Sequence, residues 1–163
     1  MKKLVSILVL ACLIGAGAWF LLAPKPQAPA VTFHTLEEQQ IPLEDMRGKV
    51  VLVKFWATSC VTCVRQMPDT IALYEEFALE GFDVVAVAMS YDPVPYVKQF
   101  AQTRELPFTV AIDGSGEVAK AFGDVRLTPI AFLVGKDGSI IKRYLGNYDK
   151  QELKNTVQTA LAS

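Results

Sequence analysis

Two of the three cysteines in this sequence lie three positions apart, in the stretch KFWATSCVTCVRQMP from Lys54 to Pro68. A thiolate is the nucleophile in thiol–disulfide exchange, and a second thiol one helical turn away can attack the resulting mixed disulfide. Apolar β-branched residues precede the pair and a helical pattern follows it. This order places Cys60 at a helix N-terminus, where free N–H groups and the helix dipole favour a thiolate. We therefore assign Cys60 as the nucleophile and Cys63 as the resolving thiol.

A C-x-x-C pair also occurs in zinc sites and in structural disulfides. A structural zinc ion usually takes four protein ligands, whereas the chain after residue 30 has no other cysteine and a single histidine, His34, which we place at a surface or strand edge. A disulfide across three positions closes too short a loop to add much stability. Two thiolates also suit Cu(I), so a non-enzymatic copper-binding module stays an alternative. We expect no metal, and no cofactor other than the Cys60–Cys63 disulfide itself.

The elements that must position the pair are indicated by hydrophobic periodicity. Residues 50–57, VVLVKFWA, are apolar at nearly every position, as in a strand buried on both faces. Residues 61–80 carry apolar side chains at helical spacing, and Gly81 ends that pattern. The remaining predictions are a strand over 82–89, a helix over 94–106, a strand over 108–113, a helix over 116–123, a hairpin over 130–135 and 140–146, and a helix from Asp149, with Glu152 as its capping partner, to about Ala162. This alternation predicts an α/β domain with a mixed central sheet flanked by helices.

The N-terminal segment predicts export from the cytoplasm. Residues 4–23 carry no charge and follow two lysines, and about 20 apolar residues can cross a bilayer as a helix. We therefore expect residues 1–23 to be a membrane anchor, with a cleaved signal peptide or a lipoprotein signal as alternatives. Residues 24–31 are predicted to be a proline-rich spacer, and residues 32–163 the folded domain.

Composition argues against a nucleic-acid partner. The chain of 163 residues has a formal net charge of −1 and no run of basic residues, which nucleic-acid binding usually requires. The part that follows the spacer is long enough for one domain with its own hydrophobic core. We expect a single domain that binds no nucleic acid.

The stretches VVLVKFWATSCVTCVRQMP and LTPIAFLVGKDGSIIKRYLG together resemble the membrane-tethered thioredoxin-like proteins of the TlpA/ResA type. The resemblance spans about residues 33–160 and rests on the joint occurrence of the Phe-Trp-Ala strand end, the C-x-x-C pair, Pro68 and Thr128-Pro129. It implies a thioredoxin fold and thiol:disulfide oxidoreductase activity in the periplasm or on the extracytoplasmic face of the membrane. The expected direction is reduction, with a disulfide-forming oxidant as the alternative. The implied partners are envelope protein thiols and disulfides, including those of cytochrome c maturation and metal-centre assembly, and a membrane electron donor.

The same resemblance assigns supporting roles near the cysteines. It implies that Pro129 follows a cis peptide bond and faces the cysteine pair, so that Thr128 presents its backbone to an extended partner segment. Trp56 is expected to pack beside the loop that carries the cysteines. A peroxiredoxin, which has a related fold, needs a P-x-x-x-T/S-x-x-C arrangement, and positions 53 and 57 are valine and alanine.

Two departures from the family concern groups that could exchange protons. Lys54 replaces the aspartate or asparagine that such proteins carry six residues before the first cysteine. We expect its ammonium to reach solvent along the sheet edge; the alternatives are a desolvated amine that acts as a base, or a charge that favours a thiolate. Tyr91 stands where ResA-like members carry a glutamate. The neighbouring Asp92 is expected to be a turn residue, with a role as proton acceptor as the alternative.

Other departures change the immediate surroundings of the pair. Ser59 stands where the family usually has tryptophan, so a less apolar surface is expected. Gln66 replaces a frequent glutamate, which removes a negative charge and modestly favours the thiolate. The intervening Val61 and Thr62 replace the family's common proline-containing pair and tune the stability of the thiolate.

Overall fold

A computed structural model describes residues 25–163, so the predicted anchor or signal over residues 1–23 lies outside the described residues. In residues 25–163 no helix is long and apolar enough to cross a membrane. The strands are β1 (Thr32–His34), β2 (Gln40–Pro42), β3 (Val50–Trp56), β4 (Phe82–Ala88), β5 (Thr109–Ile112), β6 (Ile130–Val134) and β7 (Ile140–Leu145). The α-helices are α1 (Val61–Phe77), α2 (Val94–Thr103), α3 (Glu117–Ala121) and α4 (Lys150–Leu161).

The central sheet is mixed, as the sequence predicts, and has the strand order β5-β4-β3-β6-β7. Strands β3, β4 and β5 are parallel, whereas β6 runs antiparallel to both β3 and β7. Every residue of the central strand β3 is buried, which explains its nearly continuous apolar sequence. Strands β1 and β2 form a separate antiparallel pair.

Two hydrophobic clusters cover the two faces of the sheet. One contains Val50, Leu52 and Trp56 of β3 and buried residues of α1, α2 and α4. The other contains the alternate β3 residues Val51 and Phe55, together with residues of α3 and of the segment before β3. This alternation follows from the period of two along a strand. Lys54 therefore lies on the face that α1 and α4 cover.

The helix ends follow local sequence signals. Helix α1 ends at Phe77 and passes through a turn of 3-10 helix, Ala78–Glu80, to Gly81, whose φ of 94° favours glycine. Helix α4 begins after Asp149, whose side chain accepts hydrogen bonds from the N–H groups of Gln151 and Glu152. The predicted N-cap of α4 is thereby confirmed.

Part of the proline-rich segment lies against the β6–β7 hairpin. The N–H of Ala28 donates to the Gly138 carbonyl at 2.9 Å, and the N–H of Ile140 donates to the Pro26 carbonyl at 2.7 Å. Because Val134 pairs with Val51 near the start of β3, this hairpin turn lies at one end of the sheet. The cysteines follow the opposite end of β3.

Candidate active site

Cys60 and Cys63 lie where β3 gives way to α1, and their sulfurs are joined in a disulfide. Cys60 is the N-cap residue of α1, and its Sγ accepts a hydrogen bond from the N–H of Cys63 at 3.1 Å. Cys60 is partly exposed, whereas Cys63 is 0% exposed. An incoming sulfur can therefore reach Cys60 but not Cys63.

The start of α1 favours a negative charge on the Cys60 sulfur. The first turn of α1 contains no acidic residue, and the unpaired N–H groups and dipole of a helix N-terminus stabilise anions. In the reduced state the hydrogen bond from the Cys63 N–H would be charge-assisted, which makes such bonds stronger. These features suit the nucleophilic role that the sequence assigns to Cys60.

Asp92 fixes the backbone just before the cysteines. Its carboxylate is buried and accepts hydrogen bonds from the N–H and the hydroxyl of Thr58, both at 2.6 Å. The residue sits in the turn that precedes Pro93, because its own N–H donates to the Met89 carbonyl at 2.9 Å. Thr58 was not among the residues predicted from the sequence, and the alternative role of Asp92 as a proton acceptor stays a prediction.

The Thr128–Pro129 peptide bond is cis, and Pro129 is buried. Since Ile130 pairs with Phe55, Pro129 lies beside the end of β3 from which the cysteine loop departs. The Pro129 carbonyl accepts a hydrogen bond from the N–H of Gly146 at 2.9 Å. The Gly146 carbonyl in turn accepts one from Gln66 Nε2 at 3.1 Å. Gln66 thus links the helix that carries the cysteines to the Pro129 segment.

Lys54 does not extend to solvent along the sheet edge, so that prediction was wrong. The strand that carries Lys54 is central in the sheet, and the side chain is 0% exposed. Its Nζ donates hydrogen bonds to Gln66 Oε1 at 3.2 Å, to Thr70 Oγ1 at 3.2 Å and to Tyr148 Oη at 2.9 Å. These four residues form a cluster that we call the lysine cluster.

Burial shifts the pKa values of Lys54 and Tyr148, the two titratable groups of the lysine cluster. None of the three hydrogen-bond partners of Lys54 carries a charge, and desolvation lowers the pKa of the Lys54 amine to about 7, while the carboxylate of Asp69 opposes this shift. Desolvation also raises the pKa of the Tyr148 hydroxyl well above its ordinary value. The tyrosine therefore stays neutral, whereas the lysine can change its charge near neutral pH.

The lysine cluster borders a groove between α1 and α4. The groove has a volume of about 390 Å³, and Gln66, Thr70 and Tyr148 are all among the residues that line it. Asp69 and Lys150 lie at the same groove and form an ion pair at 3.2 Å. The hydrogen-bond partners of the buried amine thus reach this groove.

The surface around Cys60 carries exposed apolar side chains. Val61 follows Cys60 and is 76% exposed, and Leu127, next to Thr128, is 70% exposed. The Tyr91 ring is also exposed, and its hydroxyl lies 3.4 Å from Thr128 Oγ1. The exposed Ser59 adds a polar group beside these apolar side chains.

The remaining candidates have structural positions. Trp56 is fully buried, and its ring centroid lies 5.0 Å from that of Phe100. His34 is exposed on β1, as predicted. Among residues 25–163 there is no group of three or more His, Cys, Asp and Glu side chains that could hold a metal ion.

Sequence reasoning missed two members of the lysine cluster. Thr70 lies two turns after Cys63 on the buried face of α1, and a polar residue in that apolar stripe could have indicated a buried partner. Tyr148 gave no such signal, because it follows β7 in a loop and the fold alone brings it to Lys54.

Comparison with known proteins agrees with the fold and the site. A family model described as Redoxin matches residues 23–161. The thiol-disulfide oxidoreductase ResA of Bacillus thuringiensis subsp. konkukian is 35% identical over 128 residues, which cover 78% of this chain and 73% of that protein. The ResA of Geobacillus thermodenitrificans is 33% identical over 132 residues, which cover 81% and 75% of the two chains.

Solved structures show the same likeness. The solution structure of a Neisseria meningitidis protein described as a thioredoxin is 36% identical, with a TM-score of 0.78 over 85% of this chain and 92% of that one. The crystal structure of a thiol:disulfide interchange protein from Chlorobium tepidum is 25% identical, with a TM-score of 0.77 over 85% and 98%. With its thioredoxin fold and its Cys60–Cys63 disulfide, the chain therefore belongs to the Redoxin family, as a thiol-disulfide oxidoreductase of the TlpA/ResA type.

Proposed function

We propose that this protein reduces disulfide bonds of other proteins outside the cytoplasm. The observation that carries the proposal is the difference in accessibility between the two sulfurs: Cys60 is partly exposed at the N-terminus of α1, whereas Cys63 is fully buried behind it. A partner sulfur can bond to Cys60, and Cys63 then lies one turn away to displace it.

The reaction begins with the reduced pair. The Cys60 thiolate attacks one sulfur of a partner disulfide, the partner S–S bond breaks, and the second partner sulfur leaves as a thiolate that takes a proton from water. The Cys63 thiol then loses its proton and attacks Cys60 Sγ. The mixed disulfide breaks, the Cys60–Cys63 bond forms, and the first partner sulfur leaves and is protonated. Two electrons have passed from the pair to the partner, and two partner thiols result.

The sequence supports the proposed location, and the relatives support thiol–disulfide exchange as the reaction. Residues 4–23 are uncharged and long enough for a membrane helix, which would hold the domain on the extracytoplasmic side or be cleaved after export. In either location the oxidised pair must be reduced again, and we infer a membrane electron donor for that step. Relatives named thiol-disulfide oxidoreductase ResA fit this scheme.

Trapping of mixed disulfides tests the proposal. In Cys63→Ser the second step cannot occur, so partners should stay bonded to Cys60 in the native envelope, and mass spectrometry identifies them. The matched control is the double variant C60S/C63S, which keeps Cys12 and therefore reports any capture through that residue. Equal capture by the two variants, or unchanged insulin reduction by Cys60→Ser, would overturn the proposal.

The reduction potential of the pair decides the direction. Thioredoxin, a reductant, has a potential of about −270 mV, and the oxidant DsbA has about −120 mV. We expect a value nearer the first, measured by equilibration of the full-length protein with glutathione or dithiothreitol. A value close to that of DsbA would make the protein a disulfide-forming oxidant.

A further inference from the structure

The lysine cluster has no place in the exchange reaction as described so far, although it lies on the same face of the sheet as Cys63. Cys63 and Gln66 are one turn apart on the buried face of α1, a rise of about 4.5 Å along the helix axis. The Lys54 amine lies 3.2 Å from Gln66 Oε1. Leu52 and Trp56, which lie two positions before and after Lys54 on the same face of β3, belong to one buried cluster with Cys63, so the amine and the sulfur share a buried, largely apolar setting.

Charges in such a buried setting interact strongly. The interaction of two charges grows as the effective dielectric constant falls from that of water to that of a protein interior. A thiolate at the start of α1 therefore favours an ammonium on Lys54, and the ammonium favours the thiolate. Formation of the disulfide removes the thiolate and with it this stabilisation of the ammonium.

None of the groups hydrogen-bonded to Lys54 is a carboxylate that would hold the ammonium in both redox states. The β4 and β6 residues in register with Lys54 are alanines, Ala86 and Ala131. The charged or titratable groups that the structure ties to Lys54 are Tyr148, which it contacts, and Asp69 of α1, whose charge acts on it. Behind these lie Lys150 of α4, paired with Asp69, and Tyr144 of β7, whose ring centroid is 5.3 Å from that of Tyr148. Asp69 is exposed and already paired with Lys150, and burial raises the pKa values of both tyrosines, which keeps them neutral.

We propose that Lys54 is a redox-linked proton carrier, which binds a proton when the Cys60–Cys63 pair is reduced and releases it when the pair is oxidised. The groove between α1 and α4 provides the route to solvent, because all three hydrogen-bond partners of Lys54 line it. This inference deepens the proposed function and rests on the redox activity of the pair. The lowered pKa of Lys54 fits the role, since the amine can gain or lose a proton near neutral pH.

The proton balance can be written for reduction by a dithiol. The dithiol becomes a disulfide and supplies two electrons and two protons, and the Cys60–Cys63 bond breaks. One proton bonds to the Cys63 sulfur. The other passes through solvent to the Lys54 amine, so Cys60 is left as a thiolate beside an ammonium. Oxidation by a partner disulfide reverses both proton transfers.

The test is a titration of Lys54 in both redox states by NMR of its side-chain Cε and Nζ nuclei, on the purified full-length chain. The reduced sample is prepared with a phosphine reductant, so no protein partner is needed. The Lys54 signals are assigned by contacts with the Tyr148 ring and by their absence from Lys54→Met. We expect a midpoint near 7 in the oxidised state, and one higher by on the order of one to two pH units in the reduced state.

If the Cys60 thiolate raises the pKa of Lys54, thermodynamic linkage requires the Lys54 ammonium to lower the pKa of Cys60 by the same amount. In Lys54→Met the pKa of Cys60, followed by thiolate absorbance, should rise by a similar amount. Lys98→Met, which removes an exposed lysine of α2, should leave the pKa of Cys60 unchanged.

Equal Lys54 midpoints in the two redox states would overturn the proposal. This outcome is distinct from failure of the proposed function, which is judged by partner capture and insulin reduction. The comparison of redox states uses the wild-type protein, so it remains decisive even if Lys54→Met does not fold.

Discussion

The carboxylate of Asp92 holds Thr58 at two points, through its backbone N–H and through its hydroxyl, each at 2.6 Å. Thr58 lies two residues before Cys60, so this contact sets the course of the chain into the N-terminus of α1. This contact indicates that Asp92 holds the Thr58 backbone in position. The sequence also left open a role for Asp92 as proton acceptor.

Two substitutions of Asp92 separate these roles. Asp92→Asn keeps an oxygen for the Thr58 N–H and an amide group for the hydroxyl, so we expect near-normal activity and an unchanged pH profile. Asp92→Ala leaves the Thr58 N–H without its partner, which should cost about 1 to 3 kcal/mol of the free energy of unfolding and lower activity. Insulin reduction over a range of pH and urea denaturation measure both. A loss of activity in Asp92→Asn as large as in Asp92→Ala would instead support the proton-acceptor role.

Lys54 should make the stability of the oxidised protein depend on pH. The pKa of Lys54 is lowered to about 7 from 10.5, so between these values the unfolded chain binds more protons than the folded one. Stability from this group therefore rises as the pH rises through the window. From pH 7 to 9.5 the gain should be on the order of 3 kcal/mol.

Urea denaturation of wild-type protein and Lys54→Met at several pH values measures this gain. The variant lacks the buried amine, so the difference in the free energy of unfolding between the two proteins should change with pH. A difference that stays constant from pH 7 to 9.5 would show that Lys54 has the same pKa in the folded and unfolded chains.

The exposed apolar side chains beside Cys60 should contribute to contact with protein partners. In Val61→Ser and Leu127→Ser the loss of apolar area that a partner covers should lower kcat/KM for a protein disulfide about five- to tenfold. Reduction of a small aromatic disulfide, which needs little of this surface, should be unchanged. The matched control is Leu79→Ser, since Leu79 is fully exposed just past the other end of α1. An equal effect of all three substitutions would mean that the surface around Cys60 has no special role.

Substitution of Asp113 tests whether a loss of stability by itself changes the pKa of Cys60. Its buried carboxylate accepts hydrogen bonds from the N–H groups of Val118 and Ala119 of α3, at 3.1 and 2.8 Å. Asp113→Ala should therefore lower the free energy of unfolding by about 2 to 3 kcal/mol. Because α3 packs on the face of the sheet opposite Cys63, the pKa of Cys60 should not change. A shifted pKa of Cys60 would show that the two faces are coupled.

The sequence predicts those parts of the fold that depend on local patterns. The buried strand before Cys60, the helix that follows it and the N-cap Asp149 all lie where hydrophobic periodicity and capping rules place them. The surroundings of Lys54 could not be predicted in this way. A lysine in an apolar strand usually extends to solvent, but here the strand is central, and the partners of Lys54 come from α1 and from a loop near the C-terminus. Only the tertiary fold brings them together.

The hydrogen bonds that join Pro26 and Ala28 to the β6–β7 hairpin determine where the N-terminal part of the chain departs from the domain. That point lies at the end of the sheet opposite Cys60, roughly 20 Å away along the seven residues of β3. An attachment through the N-terminus, whether to a lipid bilayer or to a solid support, therefore leaves the reactive sulfur facing outward. A large substrate can then approach without colliding with the surface that holds the enzyme.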